Sequence, residues 1–339
     1  MALLHVPLTL LALLGLVLAA EFVNGWNDAT NAIATVISTR VLSPPKAILM
    51  AVLFNIVGAL SGTAVAATIG TGIVSPDAVT LTTIGAALVA IVLWGAPASA
   101  LGLPISISHA LFGGLAGSAL ATAGFSALQW AGWRKVLIGL FFSTVLGFLG
   151  GLALMVLIYR CFARVSPGTV RRVFGKVQIL SAAFMAFSHG SNDGQKFMGV
   201  FSLVLLLGGV HHTFHVPFWV MLLCAVTMGI GTSIGGWSVI KTMGMKLTKL
   251  EPVHGFAAET AAAATIEVAS RLGIPLSTTH TISTAIMGVG ATRRFSAVRW
   301  GVTRDIVMAW LLTFPVCGLI AWLVAKLSLL VLRSPGISS

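Results

Sequence analysis

The sequence predicts an all-α, polytopic membrane protein built from two inverted-topology repeats, with broken helices and paired re-entrant hairpins. Three observations carry this prediction. Hydrophobic residues make up 57% of the 339-residue chain and charged residues 8%, and mean hydropathy is +1.02. A soluble domain carries about 25% charged residues to solvate its surface. The apolar residues fall in runs of roughly 18–25, the length that crosses about 30 Å of hydrocarbon, and not in the alternating strands of a barrel. Two different polar motifs then occur twice, in the same order.

Taken in order, spans are expected over 3–23 continuing to about 39, then 46–70, 81–101, 104–123, 135–159, 178–208, 217–240, 255–272, 275–291 and 303–332. The first lacks a basic leader and runs straight into a polar motif, so it reads as a retained span and not as a signal peptide. Basic residues crowd particular connections: Arg40 and Lys46; Arg160, Arg164, Arg171, Arg172 and Lys176; Lys241, Lys246 and Lys249; Arg293, Arg294, Arg299 and Arg304. Segments 71–80 and 208–217 hold no Lys or Arg. The positive-inside rule then predicts an external N-terminus and a cytoplasmic 160–176 loop, with Arg134 and Lys135 against the trend. The net charge of +12 is thereby explained by membrane orientation, and no nucleic-acid partner is expected. The expected organisation is a first repeat over 1–159, a basic linker over 160–177 and a second repeat over 178–339. Cys161, Cys224 and Cys317 are far apart and read as free thiols packed as small hydrophobes; no disulfide, metal site or cofactor is expected.

The motifs carry the chemistry. NGWNDATN at 24–31 is answered by SHGSNDGQK at 188–196, and LGLPISISHALFGG at 101–114 by LGIPLSTTHTISTA at 272–285. Asp28 precedes Ser106 by 78 residues and Asp193 precedes Ser277 by 84, which marks an internal repeat. A carboxylate in hydrocarbon is costly and persists where it is paired, hydrated or working. Asn27, Asp28 and Asn31 share one helix face, as do Asn192, Asp193 and Lys196. Neighbouring Gly25, Gly190 and Gly194 allow local unwinding that frees backbone oxygens. Carboxylate, amide and carbonyl oxygens together suit Na⁺ or a proton. The competing reading is interhelical polar glue, which the duplication disfavours. The Pro-x-Ser segments suit an anion: a helix N-terminus presents free N–H groups, and the Ser and Thr hydroxyls add donors. Ser106, Ser108 and the 107–109 amides, opposed to Ser277, Thr278, Thr279 and the 278–280 amides, would form a two-sided cradle. An ordinary Pro-Ser helix start is the alternative.

Further candidates are less specific. His109, His189 and His280 are proton carriers or anion donors, or else hydrogen-bonded packing residues. Lys196 is placed to neutralise Asp193 or to meet the anion. Glu259 and Glu267 suggest a second ion or proton position. His211, His212 and His215 cluster in an external loop without other ligands. Gly113, Gly114, Gly117, Gly231 and Gly235 mark close helix packing.

NGWNDATNAIATVISTR and SHGSNDGQKFMGV resemble the duplicated signature of the inorganic phosphate transporter (PiT) family, of the bacterial low-affinity permease type. PISISHALFGG and PLSTTHTISTAIMG are similar to its paired hairpin tips. The resemblance implies a homodimeric, inverted-repeat symporter in the bacterial cytoplasmic membrane. Its cargo would be inorganic phosphate, free or as a metal–phosphate complex, moved with a coupling cation. It places Asn27, Asp28, Ser106, Ser108, Asn192, Asp193, Ser277, Thr278 and Thr279 at the phosphate, and Asp28, Asn31 and Asp193 at the coupling ion, where Glu259 joins them. Two departures stand out: Trp26 replaces a smaller residue, and Phe54-Asn55 stands where sodium-coupled members have Phe-Glu. Loss of that carboxylate favours H⁺ over Na⁺. A sulfate permease of the same fold is the nearest alternative; a membrane enzyme or an anion channel is more remote.

Overall fold

The computed structural model describes residues 7–72 and 79–333. Its helices are α1 (Leu8–Ser38), α2 (Pro44–Ala59), α3 (Ala64–Gly72), α4 (Leu81–Leu101), α5 (Ile107–Ala123), α6 (Trp130–Cys161), α7 (Pro167–His189), α8 (Gln195–Leu207), α9 (Phe218–Ile234), α10 (Trp237–Lys241), α11 (Pro252–Arg271), α12 (Thr278–Ala291) and α13 (Trp300–Arg333). There is no strand among the described residues. Helices α1, α4, α6 and α13 are each long and apolar enough to cross a membrane alone. Two of the expected straight spans are broken: 46–70 becomes a pair bent by 68° and 217–240 a pair bent by 64°. Periodicity could not show these bends, because the residues on both sides of each break are equally apolar.

Other expectations need correcting. The basic segment read as a linker is mostly helix: α7 starts at Pro167, so Arg171, Arg172 and Lys176 belong to its first turns. Ser166 caps that start by accepting from the Thr169 N–H, with Pro167 at the first helical position. Unwinding at the first Asn-Asp motif does not occur. Helix α1 runs unbroken through it, and Gly25 instead lets the α9 backbone at Met228 approach closely. The second motif does distort, into a π turn over Gly190–Gly194 between α7 and α8. Cys161 is exposed at the end of α6, while Cys224 and Cys317 are buried thiols as expected. Residues 3–6 of the first expected span and most of the 71–80 connection lie outside the described residues.

The two halves repeat one order of elements: a helix bearing Asn-Asp, a bent pair, a helix ending in Gly-x-Pro, a tip helix, a short 3₁₀ turn and a long closing helix. The helix ends show the repeat in detail. Helix α4 ends at Gly102 (φ 76°) and α11 at Gly273 (φ 65°), left-handed positions that favour glycine. In the first, Leu103 N–H reaches back to Ala98 O at 2.9 Å; in the second, Ile274 N–H reaches Ala269 O at 2.8 Å. The chain is thereby turned so that an extended Pro-x-Ser segment, with Ser106 or Ser277 as the cap, leads into α5 or α12; the Pro itself lies outside the helix.

The halves also exchange partners. Helix α13 packs on α5 of the first half, and α6 packs on α12 of the second. Equivalent residues touch each other at the centre: Ser106 Oγ lies 2.9 Å from Ser277 Oγ, and the His109 and His280 rings are 4.7 Å apart. Contact between equivalent residues requires an approximate twofold axis passing between them, and here it passes between the tips. Close helix packing maintains this centre, since Gly117 rests on the Gly318 backbone and Gly288 on the backbone at Phe148.

A Cβ on Gly288 would collide with the Phe148 carbonyl, whereas one on Gly168 would meet nothing within 4 Å. Gly288→Ala is predicted to lose about 1–3 kcal/mol of stability by overpacking, and Gly168→Ala to lose none. Thermal unfolding of the two variants in one detergent checks this, and equal midpoints would refute the packing account.

Candidate functional site

The four sequence motifs converge on one buried centre. Asp28 and Asp193 are each 1% exposed. A carboxylate oxygen of each and one His189 nitrogen lie within 4.8 Å of one another. The π turn is what delivers the second copy. It widens the helix by one residue over Gly190–Gly194 and swings Asn192 and Asp193 inward without unpairing the flanking turns.

Both Asn residues tie their motifs to the hairpins. The Asn27 amide lies 2.9 Å from Ser99 Oγ; with its nitrogen toward acceptors it donates to Asp28 Oδ1 at 3.0 Å and to Ile105 O at 3.3 Å, and its oxygen accepts from Ser99 Oγ. Ser270 Oγ donates to Ile266 O at 2.8 Å and accepts from Asn192 Nδ2, again at 2.9 Å. Asn27 and Asn192 are thus positioning residues: they tie each carboxylate-bearing segment to the turn that launches a tip. Leu276 N–H donates to Asn192 Oδ1 at 3.4 Å and completes the second anchor.

Two hydroxyls of the second tip meet the carboxylates, one within its own half and one across the axis. Thr278 Oγ1 donates to Asp193 Oδ2 at 2.8 Å and Thr279 Oγ1 to Asp28 Oδ1 at 3.2 Å. Asn31 Nδ2 lies 3.3 Å from Thr278 Oγ1 and 3.2 Å from Thr279 Oγ1. Lys196, at the position equivalent to Asn31, donates to Asp193 Oδ1 at 2.5 Å, Ser108 Oγ at 2.6 Å and the Leu276 carbonyl at 2.7 Å. All three ammonium donors are therefore used. An ion pair this deeply buried stabilises little by itself, but removing one partner leaves an uncompensated charge.

Part of the expected cradle is arranged differently. Ser106 and Ser277 cap their own helices, accepting from the His109 and His280 N–H groups at 3.2 Å, so one expected free amide on each tip is already used. The two hydroxyls also bond each other, and Ser108 Oγ turns to the Leu276 carbonyl at 3.1 Å. The tips are closed on one another. The larger hollows lie elsewhere: a 620 Å³ apolar groove between α1, α4 and α13, and a 570 Å³ polar one that includes Arg40, Arg171, Lys249 and Arg299.

The histidines separate into two groups. His189 joins the carboxylates, with Nε2 at 3.4 Å from Asp193 Oδ2. Its tautomer follows from Asn55. Thr232 Oγ1 donates to Met228 O at 2.9 Å and so faces Asn55 Nδ2, at 3.3 Å, as an acceptor. Asn55 Oδ1 is then the group 3.0 Å from His189 Nδ1, and an amide oxygen only accepts. Nδ1 therefore carries a proton, and Nε2 carries one only in the imidazolium. His109 and His280 instead pack behind the tips, His280 stacked on Trp310 at 3.9 Å and bonded to Thr144 at 3.3 Å. Their packing reading is the better supported.

Glu259 is 0% exposed but sits apart from the carboxylate pair, where Thr35, Ser181 and Gln178 donate to it. Glu267 turns to Ser191 at 2.8 Å and Arg271 at 2.7 Å, so the two glutamates do not form one position. The sequence reading missed Ser99, Ser270, Thr35, Ser181, Gln178 and the fully buried Glu21. The two serines were within reach, since Ala-Ser-x-Leu-Gly-x-Pro occurs at 98–104 and again at 269–275. The 3₁₀ turns over Phe125–Ala127 and Phe295–Ala297 repeat Phe-Ser-Ala in the same way.

Helices spanning a membrane, duplicated about an axis that passes through buried carboxylates and hydroxyls, define a transport protein and not an enzyme. The comparisons with known proteins agree. The phosphate transporter family model matches residues 24–321, and the chain belongs to that family. A Rhizobium meliloti (strain 1021) protein described as a probable low-affinity inorganic phosphate transporter is 45% identical over 314 residues, covering 92% of this chain and 94% of the relative. A Bacillus subtilis (strain 168) protein of the same description is 40% identical over 316 residues, covering 91% and 95%. Among solved structures, one described as the sodium-dependent phosphate transporter matches with a TM-score of 0.88 at 26% identity, covering 96% of this chain and all of that one.

Lys196→Met is predicted to destabilise the protein by about 3–5 kcal/mol, because Asp193 loses its cation. Adding Asp193→Asn should recover most of that loss. Thermal unfolding of the single and double variants checks it; a single variant as stable as the wild type would show that the pair is not an electrostatic unit.

Proposed function

We propose that the chain is a proton-coupled symporter of inorganic phosphate, oriented with its N-terminus outside, in a bacterial cytoplasmic membrane, and that it works as a homodimer. The observation that carries the reading is the position of Asp28 and Asp193 directly against the hydroxyl-bearing tips. Phosphate would enter between Ser106, Ser108, Ser277, Thr278 and Thr279 by exchanging the bonds these hydroxyls now make to each other and to Lys196. Asn27 and Asn192 would keep the carboxylates at the site while the tips part.

Electrostatics links the two cargoes. Unit charges about 4 Å apart interact by about 4 kcal/mol at an effective dielectric of 20. An anion beside two carboxylates is thus opposed by about 8 kcal/mol, of which one ammonium offsets about half. Neutralising one carboxylate removes the remainder, so anion and cation bind well only together. Inverted repeats then close one side as the other opens.

A proton suits the donor set better than sodium. Asp193 already holds Lys196, and the third group of the cluster is an imidazole. Na⁺ prefers a shell of oxygens, as other hard cations do. Asn55 also presents its amide oxygen to His189, at the position where the family resemblance implies a carboxylate in sodium-coupled members. His189 Nε2 and the facing Asp193 oxygen make a proton position ready to fill, with Asn31 and Asp28 across from it. Sodium coupling is the second reading, favoured by the likeness to a transporter described as sodium-dependent.

Purified protein in sodium-free liposomes is expected to accumulate phosphate against its gradient when an inward ΔpH is imposed. Asp28→Asn, and Asp193→Asn combined with Lys196→Met so that no buried charge is left unpaired, should each lower that uptake by about 100-fold or more while leaving the protein folded. Uptake that needs a sodium gradient would transfer the coupling to Na⁺. Preference for sulfate would change the cargo, and full proton-driven uptake in both variants would refute the mechanism.

A further inference from the structure

Glu21 is an intramembrane carboxylate that the mechanism above does not use. It lies on α1, 0% exposed, and its side-chain contact among the described residues is Asn24 Nδ2, which donates to Oε2 at 3.0 Å. Oε1 is buried with no hydrogen-bond partner. No Lys or Arg forms an ion pair with it among the described residues. A buried carboxylate with one bare oxygen and no cation is stable when that oxygen carries a proton, because the charged form would lack both solvent and counter-ion.

Its position gives that proton a use. Glu21 precedes Asp28 by seven residues, two helical turns on the same face and about 10 Å along the axis. Seven residues beyond Asp28, Thr35 donates to Glu259. Three carboxyl levels therefore follow one face of α1: Glu21, then Asp28 with Asp193, then Glu259. Together they cover about 20 Å of a hydrocarbon layer about 30 Å thick. Glu259 is fully engaged by its three donors, whereas Glu21 has an oxygen to spare.

We propose that Glu21 is the outer proton-loading residue of the transport cycle, an inference that rests on the proton-coupled reading. When the outer half opens, the Glu21 carboxylate takes a proton from external water and forms Oε1–H. It gives that proton, through water in the opened cleft, to the Asp28 carboxylate, and returns to its charged form before the next proton binds. The groups that act on it are Asp28 on its own helix, Asp193 on the π turn and Lys196 on α8. The buried Cys224 thiol on α9 lies within its electrostatic reach. Helix α4 carries no titratable residue, α5 carries His109 and α2 carries Lys46 at its far end.

Glu21→Gln tests the assignment, since it keeps the size and the acceptor for Asn24 but cannot release a proton. Wild-type liposomes are first compared under ΔpH and under a sodium gradient. With ΔpH driving the wild type, the variant is expected to lose about tenfold or more in ΔpH-driven accumulation. Phosphate–phosphate exchange at equal pH, which needs no proton release, should stay within about twofold. Glu21→Asp, which keeps a titratable group, should restore part of the driven uptake. Glu21→Gln with wild-type accumulation would overturn the role of Glu21 and leave the coupling at Asp28 and Asp193 standing. Equal loss of exchange and accumulation would mean a structural role and would also overturn it. A wild type indifferent to ΔpH would overturn this assignment and the proton-coupled reading together.

Discussion

Two carboxylates in a low-dielectric interior, set against the tip hydroxyls that we propose receive phosphate, are the constraint on which the rest of the protein depends. Neither charge can be left bare at 1% exposure, and neither can tolerate an anion beside it unaided. Every neighbour of Asp28 and Asp193 answers one of those demands. Lys196, Thr278 and Thr279 satisfy the carboxylate oxygens in the closed arrangement, and His189 places a second proton acceptor against Asp193. The interactions holding the tips shut are the ones that entry of an anion would have to replace.

Duplication makes this arrangement reversible. An axis that brings Ser106 onto Ser277 and His109 beside His280 gives the two halves equal claims on the centre. The anchors Asn27–Ser99 and Asn192–Ser270 are matched at 2.9 Å, so each half carries its own tip as one piece. The symmetry is imperfect where the chemistry is. Lys196 replaces Asn31, and the π turn distorts only the second motif. One half thus brings a fixed positive charge to the site and the other a neutral amide, so that, among the described residues, Asp193 is paired with an ammonium and Asp28 is not.

Much of the site was legible in the sequence because polar residues in an apolar chain carry their own signal. Asp28, Asp193 and the Pro-Ser tips stand out for their cost in hydrocarbon, and their repetition assigns them to one centre. What escaped was polarity without such cost or such company. Thr35, Ser181 and Ser99 are single hydroxyls that a helix accommodates by bonding to its own carbonyls. Their role arises only from what neighbouring helices bring beside them: Glu259 of α11 for Thr35 and Ser181, and Asn27 of α1 for Ser99. Glu21 escaped because it stands alone, outside both repeated motifs. Among the elements, the bends in 46–70 and 217–240 and the helical start at Pro167 were missed for related reasons: uniform apolarity conceals a break, and clustered basic residues resemble a loop even where Ser166 and Pro167 begin a helix.

Equilibrium binding tests the central claim, that anion and proton bind as one unit, more directly than transport. Labelled phosphate is titrated onto the purified protein in sodium-free buffer from about pH 5.5 to 6.5, where the ligand remains largely a monoanion. If one proton is taken up with each phosphate, affinity should fall toward tenfold per pH unit as the pH rises, and Asp28→Asn should flatten that dependence. Affinity that is independent of pH in the wild type, or binding that appears only when sodium is added, would contradict the account.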